Sequence, residues 1–176
     1  GVRSGTDSYR GTIDYSGDRY GVTAEHLLIG EHFDAQTGYV RRTDFRRSFG
    51  EARFTPRPRR RGLVRKFTYL GSVDYVTNAP GDSVQNRETR GQFDVEFQSS
   101  DRFSVDYERD YELVPKSFAI ATDVVVPAQG YFTQTVRTSY SLGQQRLLSG
   151  RAAVARGSFY NGVRTEASYN GRIGII

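Results

Sequence analysis

The sequence predicts an all-β fold, an antiparallel up-and-down meander of about nine long strands. The first observation is a two-residue period of hydrophobicity along most of the 176 residues, as expected where successive side chains point to opposite faces of a sheet. The second is that short polar or glycine-containing stretches separate the periodic runs. The third is the length of the runs, roughly ten residues each, whereas strands of soluble sheets typically have ~5–6.

The clearest unit spans residues 87–113. In residues 89–97, Thr, Gly, Phe and Val alternate with Arg, Gln, Asp and Glu. After the polar turn at residues 98–101, residues 103–112 alternate again, with aromatic and apolar residues on one face and mainly acidic residues on the other. Two such runs joined by a short turn predict a β-hairpin with one apolar and one charged face.

Two strands are expected before this unit near the N-terminus, at residues 8–15 and 19–29. The tight turn between them contains Gly17, which can adopt a positive φ angle. The end of the second run, residues 24–29, is also compatible with a helix, but one of that length is too short to be stable alone.

The next two predicted strands are residues 39–54 and 63–76. The first has no clean apolar face, and Gly50 is expected to mark a β-bulge that shifts its register. Residues 55–62 form the turn between them, because Pro56 and Pro58 cannot donate to a β-ladder.

The longest predicted connection is residues 115–129, which is partly apolar and is expected to fold back or to form a short extra strand. Predicted strands follow at residues 131–142, 146–157 and from 163 onward. Residues 143–145 form the first turn between them, and Asn161-Gly162 is a typical hairpin turn.

The predicted connections alternate in length. Short ones fall at residues 16–18, 55–62, 98–101 and 143–145, longer ones at 30–38, 78–86 and 115–129, and only 159–162 departs from the rule. This alternation, with strands near the ~9–11 residues that cross a bilayer at a tilt, is typical of outer-membrane β-barrels. We therefore expect residues 1–176 to be a single segment of a transmembrane β-barrel. Because bacterial single-chain barrels have even strand numbers, an odd count suggests a fragment of a larger protein.

Composition limits the alternatives. Only 36% of the residues are hydrophobic, and the 12 Tyr and 11 Phe supply much of the apolar surface. The chain has no Cys, which excludes disulfides and thiolate catalysis. No run approaches the ~18 apolar residues of a transmembrane helix. The net charge is +5, and the excess of positive charge is concentrated in residues 41–66. This segment holds eleven of the 25 Lys and Arg residues and only two acids.

In a barrel, the charged face would line the lumen and the aromatic residues near strand ends would lie at the membrane interfaces. The predicted lumen-lining residues are Arg90, Asp94, Glu96, Asp106, Glu108, Asp110, Arg137, Arg151, Arg164, Glu166 and Arg172. The predicted interface residues are Tyr9, Tyr20, Phe54, Tyr75, Phe97, Phe103, Tyr111, Tyr131 and Tyr169. These charges could simply form salt bridges with one another inside the barrel, or they could select one polar solute. We favour the first interpretation.

Two soluble or enzymatic alternatives stay open. The aromatic residues could fill the core of a soluble β-sandwich or of a lipocalin-like ligand-binding barrel. The acidic row from Asp106 to Glu112 places carboxylates about 6.5–7 Å apart along a strand, a separation found in inverting glycosidases, so part of a glycan hydrolase is the other alternative. Any acidic strand face has this spacing, and no nucleophile elbow or phosphate loop occurs. The sequence therefore contains no convincing catalytic constellation.

Metal and nucleic-acid binding are not expected. Glu31, His32 and Asp34 could ligate a metal, but a flexible loop without a second histidine is a weak site. The basic run at residues 57–66 could contact phosphates. Since it lies in a turn between two strands, we favour a position at a membrane rim near anionic headgroups.

Several segments resemble a known family. They are TGYVRRTDFRR (37–47) with its extension from residue 26, VEFQSSDRFSVDYERDYELV (95–114), and nearly all of residues 129–175. They are similar to the C-terminal barrel region of large uncharacterised bacterial outer-membrane proteins, which carry an N-terminal carbohydrate-binding module of the family-nine type. The resemblance implies a location in the bacterial outer membrane, a role in glycan handling, and three partners: outer-membrane lipid, a saccharide and the rest of the same polypeptide. It implies no cofactor and no catalytic residue.

Overall fold

A computed structural model describes residues 7–33, 43–59, 62–121, 124–159 and 162–173. Within these residues there are eleven strands and no helix. The strands are β1 (Ser8–Ser16), β2 (Tyr20–Ile29), β3 (Phe45–Phe54), β4 (Val64–Thr77), β5 (Val84–Phe97), β6 (Arg102–Leu113), β7 (Phe118–Ala121), β8 (Val124–Val126), β9 (Gly130–Leu142), β10 (Leu148–Phe159) and β11 (Gly162–Ile173).

Nine of these strands form one antiparallel sheet in the order β1-β2-β3-β4-β5-β6-β9-β10-β11. Apart from the step from β6 to β9, each strand pairs with the next along the chain, which confirms the predicted up-and-down meander. Within the described residues the sheet is open, since β1 and β11 each pair with a single neighbour. The described strands are therefore not closed into a barrel, and the expectation that they are a segment of a larger transmembrane barrel stays a prediction.

The two short strands lie in the connection that was expected to fold back. β7 and β8 pair with each other as a separate two-stranded sheet. Among the described strands, this hairpin approaches none of the nine strands of the main sheet. The apolar composition of the connection thus produces a small hairpin, and the main meander resumes at β9.

The register explains why each long strand has two chemically different faces. Residues paired across strands share a face, and the antiparallel ladders run without a shift from β1 to β4 and from β5 to β11. The only described irregularities in the main sheet lie at the two ends of the β4–β5 ladder, near Val64 and near Val76. The β-bulge predicted at Gly50 was wrong, because Gly50 pairs regularly with Ala24 and Val73.

The predicted alternation of connections holds in part. The turns at residues 17–19, 98–101 and 143–147 are short, and the connections at 30–44 and 114–129 are long. The connection at residues 55–63, however, is longer than the one at 78–83, because β5 begins at Val84, earlier than expected. The hairpin turn predicted at Asn161 lies outside the described residues.

Hydrophobic side chains do not form a conventional core. The buried apolar residues are small (Val95, Val114, Val126, Ala153 and Ala155), and no large side chain of the described chain is fully buried. The accessible surface is 12998 Å², whereas a compact protein of 19.9 kDa would expose about 8,700 Å². Among the described strands, the sheet therefore has one large apolar face that no second layer covers.

Candidate functional site

The first candidate site is the charged face of the main sheet, which we define by the row Arg47, Asp74, Glu88, Asp110 and the residues that share their face. Register pairs such as Arg90 with Glu108 and Asp106 with Arg137 place acidic and basic residues side by side. All eleven predicted lumen residues lie on this face: Arg90, Asp94, Glu96, Asp106, Glu108, Asp110, Arg137, Arg151, Arg164, Glu166 and Arg172.

A chain of ion pairs crosses the first four strands on this face. Arg10 on β1 pairs with Glu25 on β2. The Glu25 carboxylate also accepts a hydrogen bond from Arg47 on β3 at 3.0 Å, and Arg47 donates to Asp74 on β4 at 2.6 Å. Each of the two carboxylates thus contacts a guanidinium group on a neighbouring strand. These contacts link the four strands to one another. This row was not predicted from the sequence, because residues 39–54 have no clean apolar face.

Further ion pairs continue towards β11. Arg90 pairs with Glu88 on its own strand and with Glu108 on β6 at 3.4 Å. Arg137 on β9 reaches Glu166 on β11 at 3.9 Å, across the small side chain of Ala155 on β10. These contacts agree with the salt-bridged interpretation of the charged face.

The face also contains a group of three close carboxylates. Glu88 lies directly opposite Asp110 in the β5–β6 ladder. Oxygen atoms of Glu88, Glu108 and Asp110 lie within 4.8 Å of one another, and Asp110 Oδ1 is buried without a hydrogen-bond partner. Carboxylate oxygens are ligands for hard cations such as Ca²⁺ and Mg²⁺, so these three residues are the ones of the described chain that could hold such an ion. Sequence reasoning named two of them but not Glu88.

Near the other end of β5, the charged face buries a carboxylate. Asp94 is 2% exposed. Its two oxygens accept hydrogen bonds from Ser104 Oγ at 2.5 Å and from Gln92 Nε2 at 2.8 Å, and Arg102 lies 3.5 Å away. A buried carboxylate is tolerated when it is hydrogen-bonded and paired in this way, so the charged face is sheltered from solvent around Asp94.

Shallow cavities follow the charged face. The larger has a volume of about 770 Å³ and is lined by side chains from β3, β4, β5, β6 and β9, including Glu51, Arg90 and Asp106. A second, of about 280 Å³, continues towards β11 and includes Arg137 and Glu166. A polar ligand in either cavity would meet both carboxylates and guanidinium groups.

The second candidate site is the opposite, apolar face, where aromatic rings form a row near the short turns. Tyr20 and Phe54 stack with ring centroids 5.0 Å apart, Phe54 and Tyr69 lie 6.2 Å apart, and Tyr69 and Phe93 lie 5.0 Å apart. We call these four residues the aromatic row. Their cross-strand register, rather than any sequence motif, brings the rings together.

Other aromatic contacts lie near the long connections. Tyr111 and Phe132 have centroids 4.9 Å apart, and the Arg109 guanidinium lies 5.5 Å from the Phe132 ring. The predicted interface residues on the apolar face are Tyr9, Tyr20, Phe54, Tyr75, Phe97, Phe103, Tyr111 and Tyr169. Tyr131 is the exception. It pairs with Glu112 on the charged face, and Phe132 takes the position expected for it.

The two histidines do not share a site. His26 lies on the apolar face, where its ring is 5.7 Å from that of Tyr9 and its Nδ1 is 2.9 Å from Ser48 Oγ. His32 is exposed in the connection after β2, and Asp34 of the weak metal motif lies outside the described residues.

Comparison with known proteins gives no assignment. No protein-family model matches the chain, and no curated protein or solved structure matches it significantly. Among the described residues, no helix has the length and hydrophobicity needed to span a membrane. A function for this chain must therefore be inferred from the chemistry of the two faces of the sheet.

Proposed function

We propose that this chain is a segment of an outer-membrane β-barrel. Its apolar face would meet lipid, and its charged face would line an interior that passes, binds or anchors a polar ligand. The observation that carries the proposal is an inverted pattern of exposure. On the inner strands, Val73, Val136 and Val154 on the apolar face are 44%, 45% and 54% exposed, whereas Asp94 and Ser139 on the charged face are 2% and 3% exposed.

This inversion is unfavourable in water. Burying apolar surface contributes roughly 25 cal/mol per Å², and a soluble sheet places its apolar face on a core for this reason. Within the described chain, no second layer of strands approaches the apolar face. A bilayer would cover that face, and the antiparallel ladders would satisfy the backbone hydrogen bonds there.

The spacing of aromatic residues supports the same proposal. Tyr69 belongs to the aromatic row, and Tyr75 lies towards the other end of the apolar face on β4, about 20 Å away along the strand at a rise of ~3.3–3.4 Å per residue. Phe103 and Tyr111 on β6 are about 26 Å apart by the same rule. Strands tilted ≈ 35–45° reduce these lengths to about 14–21 Å in height, somewhat less than the ≈ 25 Å apolar band between the aromatic girdles of outer-membrane barrels.

The ligand chemistry follows from the charged face. Alternating carboxylates and guanidinium groups suit polar, hydrogen-bonding solutes, and the resemblance described above adds a saccharide as the expected class. A soluble β-sandwich, a lipocalin-like barrel and part of a glycan hydrolase remain the alternative outcomes, and the test below distinguishes the first two from the membrane barrel.

The chain has no Trp, so one introduced Trp gives an unambiguous signal. Val73 lies on the apolar face and its neighbour Ser72 lies on the charged face. We propose to compare Val73→Trp and Ser72→Trp after reconstitution into phosphatidylcholine vesicles that carry bromine on the acyl chains. Strong quenching of Val73→Trp with weak quenching of Ser72→Trp is the expected result. Equal weak quenching, or a folded monomer in buffer without detergent, would overturn the proposal and favour a soluble fold.

A further inference from the structure

A second feature is a basic rim at one end of the sheet. The turns after β1, β3, β5 and β9 all lie at this end, because the strands alternate in direction. We define the short-turn rim as the described residues of these turns: 17–19, 55–59, 62–63, 98–101 and 143–147. Arg19, Arg57 and Arg59 are exposed on it, and Arg65 follows immediately on β4.

Part of this positive charge is not neutralised. Arg57 pairs with Asp18 at 2.7 Å, but the pair is itself largely exposed. Arg65 pairs with Glu96 at 3.0 Å. Arg19 and Arg59 make no ion pair or side-chain hydrogen bond with any described residue. These two guanidinium groups are therefore available to an external anion.

The basic rim borders the aromatic row directly. Arg19 precedes Tyr20, and Phe54 precedes the turn that carries Arg57 and Arg59. Leu63 is 84% exposed on the same rim, and Leu147 is 59% exposed on the turn after β9. Cations beside aromatic rings and exposed apolar side chains are characteristic of the boundary between lipid headgroups and acyl chains.

We infer that the short-turn rim binds the phosphate groups of anionic phospholipids, an inference that rests on the proposed membrane location. Basic residues near a membrane surface are attracted to anionic lipid. A nucleic-acid groove would interleave its aromatic rings among the cations so that bases can stack on them. Here the aromatic row instead lies on the apolar face, with its rings packed against one another, which favours lipid.

The test removes three rim charges in the variant R19Q/R57Q/R59Q. A matched control, R87Q/K116Q/R156Q, removes three positive charges away from the rim, from residues that make no ion pair within the described chain. Arg87 and Arg156 lie on the apolar face, so this control also shows whether removing any cation from that face changes lipid binding. The charge-conserving variant R19K/R57K/R59K controls for folding. Each protein is reconstituted in phosphatidylcholine with and without phosphatidylglycerol, and the lipid bound to the purified protein is quantified by native mass spectrometry.

The unchanged protein, the matched control and the lysine variant should enrich phosphatidylglycerol. At low salt, the enrichment of phosphatidylglycerol on the rim variant should be at least about five-fold lower than on the unchanged protein. The reason is that even one basic residue contributes ≈ 1 kcal/mol near an anionic surface. Equal enrichment in all variants, or none in any, would overturn the inference. So would rim-dependent binding of a single-stranded oligonucleotide without lipid preference. Insertion into pure phosphatidylcholine separates the two proposals: insertion without lipid preference contradicts only this inference, and failure to insert contradicts both.

Discussion

The Asp101 carboxylate joins two neighbouring turns by accepting a hydrogen bond from the backbone N–H of Gly143 at 2.8 Å. Its other oxygen accepts hydrogen bonds from Tyr140 Oη at 3.1 Å and from Arg146 at 2.7 Å. Asp101 is buried, and its own carbonyl accepts the N–H of Phe97 within the β5–β6 turn. One carboxylate thus fixes the relative position of the β5–β6 and β9–β10 turns.

Replacing Asp101 with Ala should destabilise the folded state, because the Gly143 N–H and the Arg146 guanidinium lose their acceptor. We expect the thermal midpoint in detergent to fall by a few degrees, the size of shift that follows the loss of one or two hydrogen bonds in a chain of this length. Ser100→Ala, in the same turn, is the control and should change little. An unchanged midpoint for the Asp101 variant would contradict the role of this carboxylate.

The same contacts predict a dependence of stability on pH. The hydrogen bond from Gly143, together with those from Ser99 and Tyr140 and the charge of Arg146, holds the pKa of Asp101 below its ordinary value of 3.8. A carboxyl whose pKa is lower in the folded state stabilises the protein above the unfolded pKa and loses that effect as the pH falls through the folded pKa. The difference in midpoint between the unchanged protein and Asp101→Asn should therefore be constant at neutral pH and shrink below pH 3.8. A difference that grows on acidification would contradict this assignment.

Arg47 should be more important for stability than other arginines of the charged face. It bridges Glu25 and Asp74, whose side chains are only 11% and 26% exposed. Arg47→Met should lower the free energy of unfolding by about 1–3 kcal/mol, since it removes the ion pair of the sheltered Asp74 carboxylate and leaves Glu25 with Arg10 as its remaining partner. Arg10→Met removes a pair in which the arginine is largely exposed and should cost about 0.2–1 kcal/mol. Urea or guanidinium titration of both variants measures the difference, and equal effects would show that Arg47 has no special role.

A charge on the apolar face separates a lipid-facing surface from a water-facing one. Val136 is 45% exposed on that face near the middle of β9. In a bilayer, Val136→Arg should destabilise the fold by about 2–4 kcal/mol, less if the residue lies away from the midplane. On a solvated surface the same change should cost only about 0.2–1 kcal/mol, because the new cation would lie directly opposite Arg156. Thr135→Arg, on the charged face, is the matched control and should be tolerated in both cases.

The three close carboxylates should be a source of repulsion. Glu88 lies opposite Asp110, and like charges directly opposite on a sheet are destabilising. Asp110→Asn should therefore stabilise the protein by about 0.2–1 kcal/mol at neutral pH, as measured by denaturant titration without divalent cations. Asp106→Asn is a suitable control, because Asp106 belongs to the same strand face but not to the group of three. Destabilisation by Asp110→Asn alone would indicate that the negative charge is required.

Alternation along single strands was sufficient to predict the meander and the separation of charged from apolar side chains. It was insufficient where a strand has aromatic residues of both parities. Phe45 and Phe49 lie on the charged face and Phe54 on the apolar one, and only pairing with β2 and β4 decides this. For the adjacent residues Tyr131 and Phe132 the alternation was informative, because Phe132 shares its parity with Val136 and Tyr140, and the prediction of Tyr131 as an interface residue ran against it. The ladder with β6 selects Phe132.

Contacts between segments that are distant along the chain also could not be predicted from the sequence. The Asp101–Gly143 hydrogen bond joins residues 42 positions apart, and the Glu88 carboxylate enters the acidic group only through the β5–β6 register. Gly50 shows the opposite error. Glycine permits a bulge but does not require one, and the regular ladders on both sides of β3 leave no room for an extra residue there.

The strand order has one geometric consequence. Since direction reverses at every step of the nine-stranded sheet, the outermost strands β1 and β11 point the same way, with Ser8 and Gly162 at the same end. If these two edges met, they would form a parallel ladder, whose slanted hydrogen bonds are slightly weaker per residue than those of the other eight ladders. Such a seam would be the natural place for a closed ring of these strands to unzip.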